Sequence, residues 1–201
     1  MPELHWLPTA DLDGRGPDER TYAGVHALVA DVAAHGGAVG WLHVPGPDEV
    51  RAWLDGVLAG GARLLLATDG GRVVGCGYWQ RLGASVLAHN AEIRKVMTAS
   101  WARGSGVARA VTGGLVEDAD AAGVEGLSLD CRGNNHAALG LYADLGFVVP
   151  GRRPDWIAVG DERFDQVLLH LDLRARRVAP GSGSGPVLAR HGGRREGPGS
   201  T

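Results

Sequence analysis

Apolar residues recur every three or four places along residues 20–34, at Val25, Leu28, Val29 and Val32, the spacing of one buried helix stripe. Residues 48–59 repeat the pattern with Val50, Trp53, Leu54, Val57 and Leu58. It then changes. RLLLAT (63–68) is an apolar run of strand length, Asp69-Gly70-Gly71 is a hairpin signal, and RVVGCGYWQ (72–80) is the returning strand. AEIRKVMT (91–98) reads as the next strand. A helix is predicted over 104–121, the strand GLSLD over 126–130, and a helix over 135–145. FVVPG (147–151) and FDQVLLHLDL (164–173) supply two more strands. Two helices, an antiparallel meander, a β-α-β-α-β segment and a closing strand make one mixed α/β (α+β) sheet flanked by helices.

From Arg174 onward the pattern stops. RARRVAPGSGSGPVLARHGGRREGPGST is rich in Gly, Ser, Pro and Arg and lacks the apolar surface to offset its ordering entropy. The expectation is one domain over 1–173 and a disordered tail over 174–201. A length of 201 residues with 44% apolar content suits a single globular core. A net charge of −3 gives no basic field, which argues against nucleic acid as a partner. Nineteen of the 20 basic residues are arginine and Lys95 is the only lysine, which reads as coding bias. Cys76 and Cys131 are too few for a disulfide framework and fit a reducing cytoplasm. No basic-then-apolar leader and no membrane-length apolar run occur, so cytoplasmic localisation and no membrane partner are expected. The histidines are scattered without ligand spacing, so no metal is expected.

The stretch ARGSGVARAV (102–111) changes the picture most. Glycines before a helix let backbone N–H groups and the positive helix end close on an anion. Gly104-x-Gly106 between a strand and a helix is also the setting of a dinucleotide fingerprint, with Asp130 ending the next strand. Against that, Arg109 occupies the third glycine position, and no second run of βαβ units follows.

Arg103-Gly104-Ser105-Gly106-Val107-Ala108 fits the pattern Arg/Gln-x-x-Gly-x-Gly/Ala, and NHAALGLYADLGF (135–147) follows about thirty residues later. In that second segment Asn135 and Tyr142 are seven apart and share a helix face. Together the two motifs resemble the GCN5-related N-acetyltransferase (GNAT) superfamily, over about residues 20–172. Within it the chain looks most like the tabtoxin-resistance acetyltransferase type, on AHGGAVGW (34–41), AEIRKVM (91–97), ARGSG (102–106), LSLD (127–130) and NNHAALGLYADLGF (134–147). It departs where the strand before the loop usually runs Val-x-Pro and here runs Thr98-Ala99-Ser100.

The resemblance implies a GNAT fold and acetyl-CoA as co-substrate, its pyrophosphate held by the backbone of Arg103, Gly104, Ser105, Gly106, Val107 and Ala108. Asn135 would lie along the cofactor, and the N–H groups of Met97 and Thr98 would hold the acetyl carbonyl. Transfer to an amine needs a base for the amine and a proton for the leaving thiolate. No covalent intermediate is required, and no Ser-His-Asp or Cys-His arrangement is present. Glu92 and Asp130 are strand carboxylates among apolar neighbours, costly there without a partner or a task. Each could simply pair with Arg94 or Arg132. The resemblance makes both of them substrate-handling groups, without saying which is the base. Tyr142 is the candidate acid, ahead of His136, although a tyrosine packed in the core is the alternative. HGGAVGWLH lies between the first two helices, where the superfamily builds its acceptor pocket; Gly37 and Trp41 are the candidates there. Cys131 reads as a small buried hydrophobe rather than a nucleophile.

The expected function is therefore acetyl transfer to the amine of a small molecule (an antibiotic, a toxin or an amino-acid-like metabolite), with antibiotic resistance as its context and a monomer or homodimer as its state. The alternatives are a protein N-terminal or lysine acetyltransferase and a non-catalytic acyl-CoA-binding regulator.

Overall fold

A computed structural model of the chain describes residues 2–7, 16–37, 40–41 and 43–177. Seven strands form one sheet in the order β1-β2-β3-β4-β5-β7-β6. They are β1 (Glu3–Trp6), β2 (Arg63–Asp69), β3 (Arg72–Arg81), β4 (Asn90–Thr98), β5 (Gly126–Arg132), β6 (Val148–Val159) and β7 (Glu162–Asp172). The helices are α1 (Glu19–Ala34), α2 (Pro47–Ala59), α3 (Val107–Ala121), α4 (His136–Asp144) and α5 (Leu173–Arg177). Every strand pair is antiparallel except β4 with β5. The expected mixed α/β sheet, mostly antiparallel and flanked by helices, is the fold observed.

Local chemistry explains the element ends. Asp18 caps α1 by accepting from the Thr21 N–H at 2.8 Å, and Pro47 opens α2, where a missing N–H costs nothing. Helices pack on both faces. Glycines at 75 and 77 let α3 press close: a Cβ on Gly75 would stand 2.4 Å from Val107 Cγ1, and one on Gly77 3.0 Å from Leu115 Cδ1. Val73 and Tyr78 face the opposite side, toward α1 and α2. A Cβ on Gly24 would meet Val73 Cγ2 at 2.7 Å, and the Tyr78 ring lies 6.4 Å from Trp53. The register shift in β2–β3 leaves Val74 without an opposite residue, which is how Val73 and Gly75 come to face different layers. Leu28, Leu54, Leu64, Leu65, Leu115 and Leu127 fill the space between layers and are essentially inaccessible; each burial contributes roughly 1.5–3 kcal/mol.

Three elements differ from the sequence expectation. Strand β1 was not anticipated: ELHW is exposed to partly exposed, so it lacks the apolar alternation that marks a half-buried strand. Strand β6 runs well past FVVPG, through Pro150 and Pro154. It is an edge strand, where prolines forfeit no ladder bond, and both register shifts against β7 span a proline. Residues 174–177, expected to begin the tail, form most of α5. Arg177 there bonds the Asp120 carboxylate at 2.6 Å and the Val124 carbonyl at 2.7 Å. The rest of the expected tail, 178–201, lies outside the described residues.

Candidate active site

Strands β4 and β5 pair for only three residues, Asn90 with Gly126, Ala91 with Leu127 and Glu92 with Ser128. Beyond Glu92 they diverge, and the sheet opens into a cleft of about 980 Å³, of a size for a sizeable small ligand.

One end of the cleft is the glycine loop. Gly104 and Gly106 hold φ +80° and +87°, and a Cβ on either would meet no atom within 4 Å. Both glycines therefore face open space in a conformation that other residues resist. Gly106 is the N-cap of α3 and supplies no side chain, so the first-turn N–H groups and the helix dipole are left for an anion. Arg103, Gly104, Gly106, Val107 and Ala108 all line the cleft. Ser105 does not; its hydroxyl donates to the Ala102 carbonyl at 2.6 Å. The loop is tied down by a residue that sequence reasoning missed: Asp31 of α1 accepts from the Ser100 N–H at 2.6 Å and from its hydroxyl at 2.8 Å. Burial alone would raise the Asp31 pKa, but these two bonds, with His35 and Arg103 nearby, lower it.

The register assigns the chemical groups to the two faces. Arg94 pairs with Tyr78, and Glu92 with Gln80, so both lie on the α1–α2 face. Ser128 pairs with Glu92, which puts Asp130 and Arg132 on that face as well. Glu92 is held by Arg94, whose Nε and terminal nitrogen donate at 2.8 and 2.5 Å. Asp130 is exposed, and no hydrogen bond or ion pair reaches its carboxylate among the described residues. Of the two pairings considered from sequence, Glu92 with Arg94 forms and Asp130 with Arg132 does not.

Tyr142 comes from α4 and is buried, edge-on to Phe147 at a centroid distance of 5.8 Å. It lines the cleft, and burial, with Cys131 and Asp130 adding, pushes its pKa well above the usual phenol value. Asn135 also lines the cleft and caps α4, accepting from the Ala138 N–H at 3.2 Å. His136, the alternative acid, is exposed and outside the lining. Met97 and Thr98 line the cleft where β4 ends.

Gly37 lines the cleft and closes α1, donating to the Val32 carbonyl at 2.9 Å; a Cβ there would meet Val32 Cγ1 at 2.3 Å. Trp41, expected in the acceptor pocket, is not part of the lining. Instead it lies under Lys95, whose Nζ stands 4.0 Å from its ring centroid. Lys95 lines the cleft and is the second residue missed from sequence, where it read only as the exception to a coding bias. Its φ of +53°, rare for a side-chain-bearing residue, comes from a bulge: Cys76 pairs with Met97 and Tyr78 with Arg94, so Lys95 and Val96 share the place opposite Gly77. The thiols are not poised as nucleophiles. Burial raises Cys76 to about 12, and burial and then Asp130 raise Cys131 to about 11.

The sequence model of the acetyltransferase (GNAT) family matches residues 25–147. The chain belongs to that family. Solved acetyltransferase structures share its fold. A ribosomal-protein-alanine N-acetyltransferase from Brucella melitensis is 23% identical, with a TM-score of 0.70 over 79% of this chain and 98% of its own. An N-acetyltransferase from Staphylococcus aureus Mu50 is 19% identical, with a TM-score of 0.70 over 86% and 99%. A GNAT superfamily phosphinothricin acetyltransferase from Sinorhizobium meliloti, in complex with acetyl-CoA, is 18% identical, with a TM-score of 0.70 over 94% and 95%. No curated protein matches the chain.

The cleft of this GNAT chain suits acetyl-CoA on two observations. The glycine loop leaves open the space that Cβ atoms would fill. In the wall near α3, the buried Thr98 hydroxyl finds no hydrogen-bond partner within the structure. Among the described residues no group of three potential metal ligands occurs, and no helix is long and apolar enough to cross a membrane.

Proposed function

We propose that the chain is an acetyl-CoA-dependent N-acetyltransferase that modifies the amine of a small molecule by direct attack. The observation that carries this reading is the opened seam between β4 and β5, with an anion-binding loop at one end, carboxylates on the α1–α2 face and a buried phenol on α4.

Acetyl-CoA supplies an activated thioester carbonyl. The loop Arg103–Ala108 and the first turn of α3 bind the pyrophosphate on N–H groups; Ser105 contributes backbone only, because its hydroxyl is used within the loop. Asn135 faces the cofactor, and the Thr98 N–H, on the strand edge that β3 does not use, polarises the acetyl carbonyl. Asp130, with its oxygens unengaged among the described residues, takes the amine proton. Glu92, held in place by Arg94, orients the ammonium beforehand. The amine nitrogen bonds to the carbonyl carbon, the carbon–sulfur bond breaks, and the sulfur leaves as a thiolate that takes a proton. Tyr142 faces that sulfur as an O–H donor, since its raised pKa keeps the phenol protonated through the physiological range. Gly37 borders the acceptor, and Trp41 supports it through Lys95.

Within the family we read the chain as closest to the tabtoxin-resistance type, on the segments that carry that resemblance. A cytoplasmic enzyme detoxifying an antibiotic or toxin is the corresponding physiological reading. The test is release of free CoA thiol from acetyl-CoA across a panel of amines. Release that depends on a small amine supports the reading. Release only with peptides would move the chain to the protein acetyltransferases. Cofactor binding without any release would make it an acyl-CoA-binding regulator.

A further inference from the structure

Two helices wall the loop end of the cleft. Val107, Ala108 and Arg109 line it from α3, and Ala137 and Leu141 line it from α4. On α4 the positions of Ala137, Leu141 and Asp144 follow helical spacing, so the three share one stripe. Asp144 continues that stripe just past the lining. The Arg109 guanidinium reaches across to it and donates to its carboxylate at 2.5 Å. One ion pair thus runs from wall to wall, between the first turn of α3 and the last residue of α4.

The pair is placed to exchange. Its side chains are 51% and 62% exposed, and a pair so open to water is held weakly. Asp144 ends its helix with no basic residue in the last turn, where the dipole disfavours a carboxylate and draws in a cation. Arg109 stands three positions past Gly106, the N-cap of the helix end that suits an anion. A guanidinium at that end suits a phosphate, and Asp144 holds it instead.

We propose that the Arg109–Asp144 pair is a strap across the cofactor groove, which Arg109 leaves for a phosphate of the cofactor as the cofactor enters. This rests on the acetyl-CoA reading of the cleft and adds a competitor carried by the chain itself. Arg109 acts for binding, and Asp144 acts against it by occupying the guanidinium. One charge-assisted contact replaces another, and no covalent bond changes. Because the strap responds to phosphates and not to the acyl group, acetyl-CoA and CoA feel it equally.

The test is calorimetric titration of acetyl-CoA, CoA and 3′-dephospho-CoA into the wild-type protein and three variants. Asp144→Asn frees the guanidinium and should tighten acetyl-CoA and CoA alike, by up to about fivefold. Arg109→Gln should weaken both by at least about tenfold. The exchanged pair, Arg109→Asp with Asp144→Arg, rebuilds the strap without the cation on α3. Its Tm should return toward wild type while its affinity stays low. An Arg109 effect that vanishes with 3′-dephospho-CoA assigns the contact to the 3′-phosphate, and one that persists assigns it to the pyrophosphate; both support the exchange. Should Arg109→Gln fail to fold, Asp144→Asn decides alone. Weaker or unchanged binding in a folded Asp144→Asn protein overturns the strap and leaves the pair a surface contact, with the transferase reading standing. No binding of acetyl-CoA to the wild-type protein overturns both.

Discussion

Asp31, in the last turn of the first helix, accepts both the backbone N–H and the hydroxyl of Ser100, at 2.6 and 2.8 Å. One carboxylate thereby fixes the start of the loop that leads into Gly104 and Gly106. Asp31→Ala leaves the Ser100 groups without their acceptor, and hydrogen bonds to a charged group contribute about 1.5–3 kcal/mol. We expect a lower Tm and weaker acetyl-CoA binding by calorimetry. The folded pKa of Asp31 is depressed. Its contribution is therefore present above the ordinary carboxylate value and lost as pH falls through the folded value. The Tm gap between variant and wild type should be full at pH 7 and close in strong acid. A gap independent of pH would refute the assignment.

Gly106 combines a left-handed φ with open space where a Cβ would go. A β-branched residue strains that backbone and intrudes where the pyrophosphate should lie. Gly106→Val should lower acetyl-CoA affinity by more than its loss of stability accounts for, whereas Gly113→Ala, in the middle of α3, should leave affinity intact. Unchanged affinity in a folded Gly106→Val protein would remove the loop from the binding site.

Arg177 donates to the Asp120 carboxylate and to the carbonyls of Asp120 and Val124. It closes the C-terminal end of α3, where a cation is favoured by the helix dipole. Arg177→Ala should cost about 1 kcal/mol, read by chemical denaturation, because the contact is partly exposed. Acetyl transfer should be unaffected.

Much of this was legible in the chain because it rests on local signals. The apolar spacing of Val25, Leu28, Val29 and Val32 located α1, and two glycines before a helix located the loop. What escaped depends on partners distant in sequence. Asp31 and Ser100 are 69 positions apart, and nothing in either neighbourhood announces the other. Lys95 looked like one basic residue among arginines until the bulge opposite Gly77 turned it onto Trp41. Trp41, expected in the acceptor pocket, carries on its ring the Lys95 ammonium that this bulge turns toward it. Exposed strands such as β1 carry no periodicity to read.

The last prediction separates the two carboxylates and the phenol. Asp130→Asn keeps shape and removes the proposed base, so kcat should fall by about 10²–10⁴. Residual activity should rise toward high pH, where the amine loses its proton unaided. Glu92→Gln breaks the charge pairing with Arg94 and should act chiefly through weaker amine binding, raising KM more than it lowers kcat. Tyr142 lies deep enough that its proton stays on well into the alkaline range, so an alkaline fall in kcat near the physiological range would not be its titration. Tyr142→Phe removes the O–H donor while keeping the ring against Phe147, and should slow departure of the thiolate with acetyl-CoA binding unchanged. Steady-state rates across pH, with calorimetry for both substrates, distinguish these outcomes. Full activity and an unaltered pH profile in the Asp130→Asn protein would pass the proton work to Glu92 or to water and remove Asp130 from the mechanism.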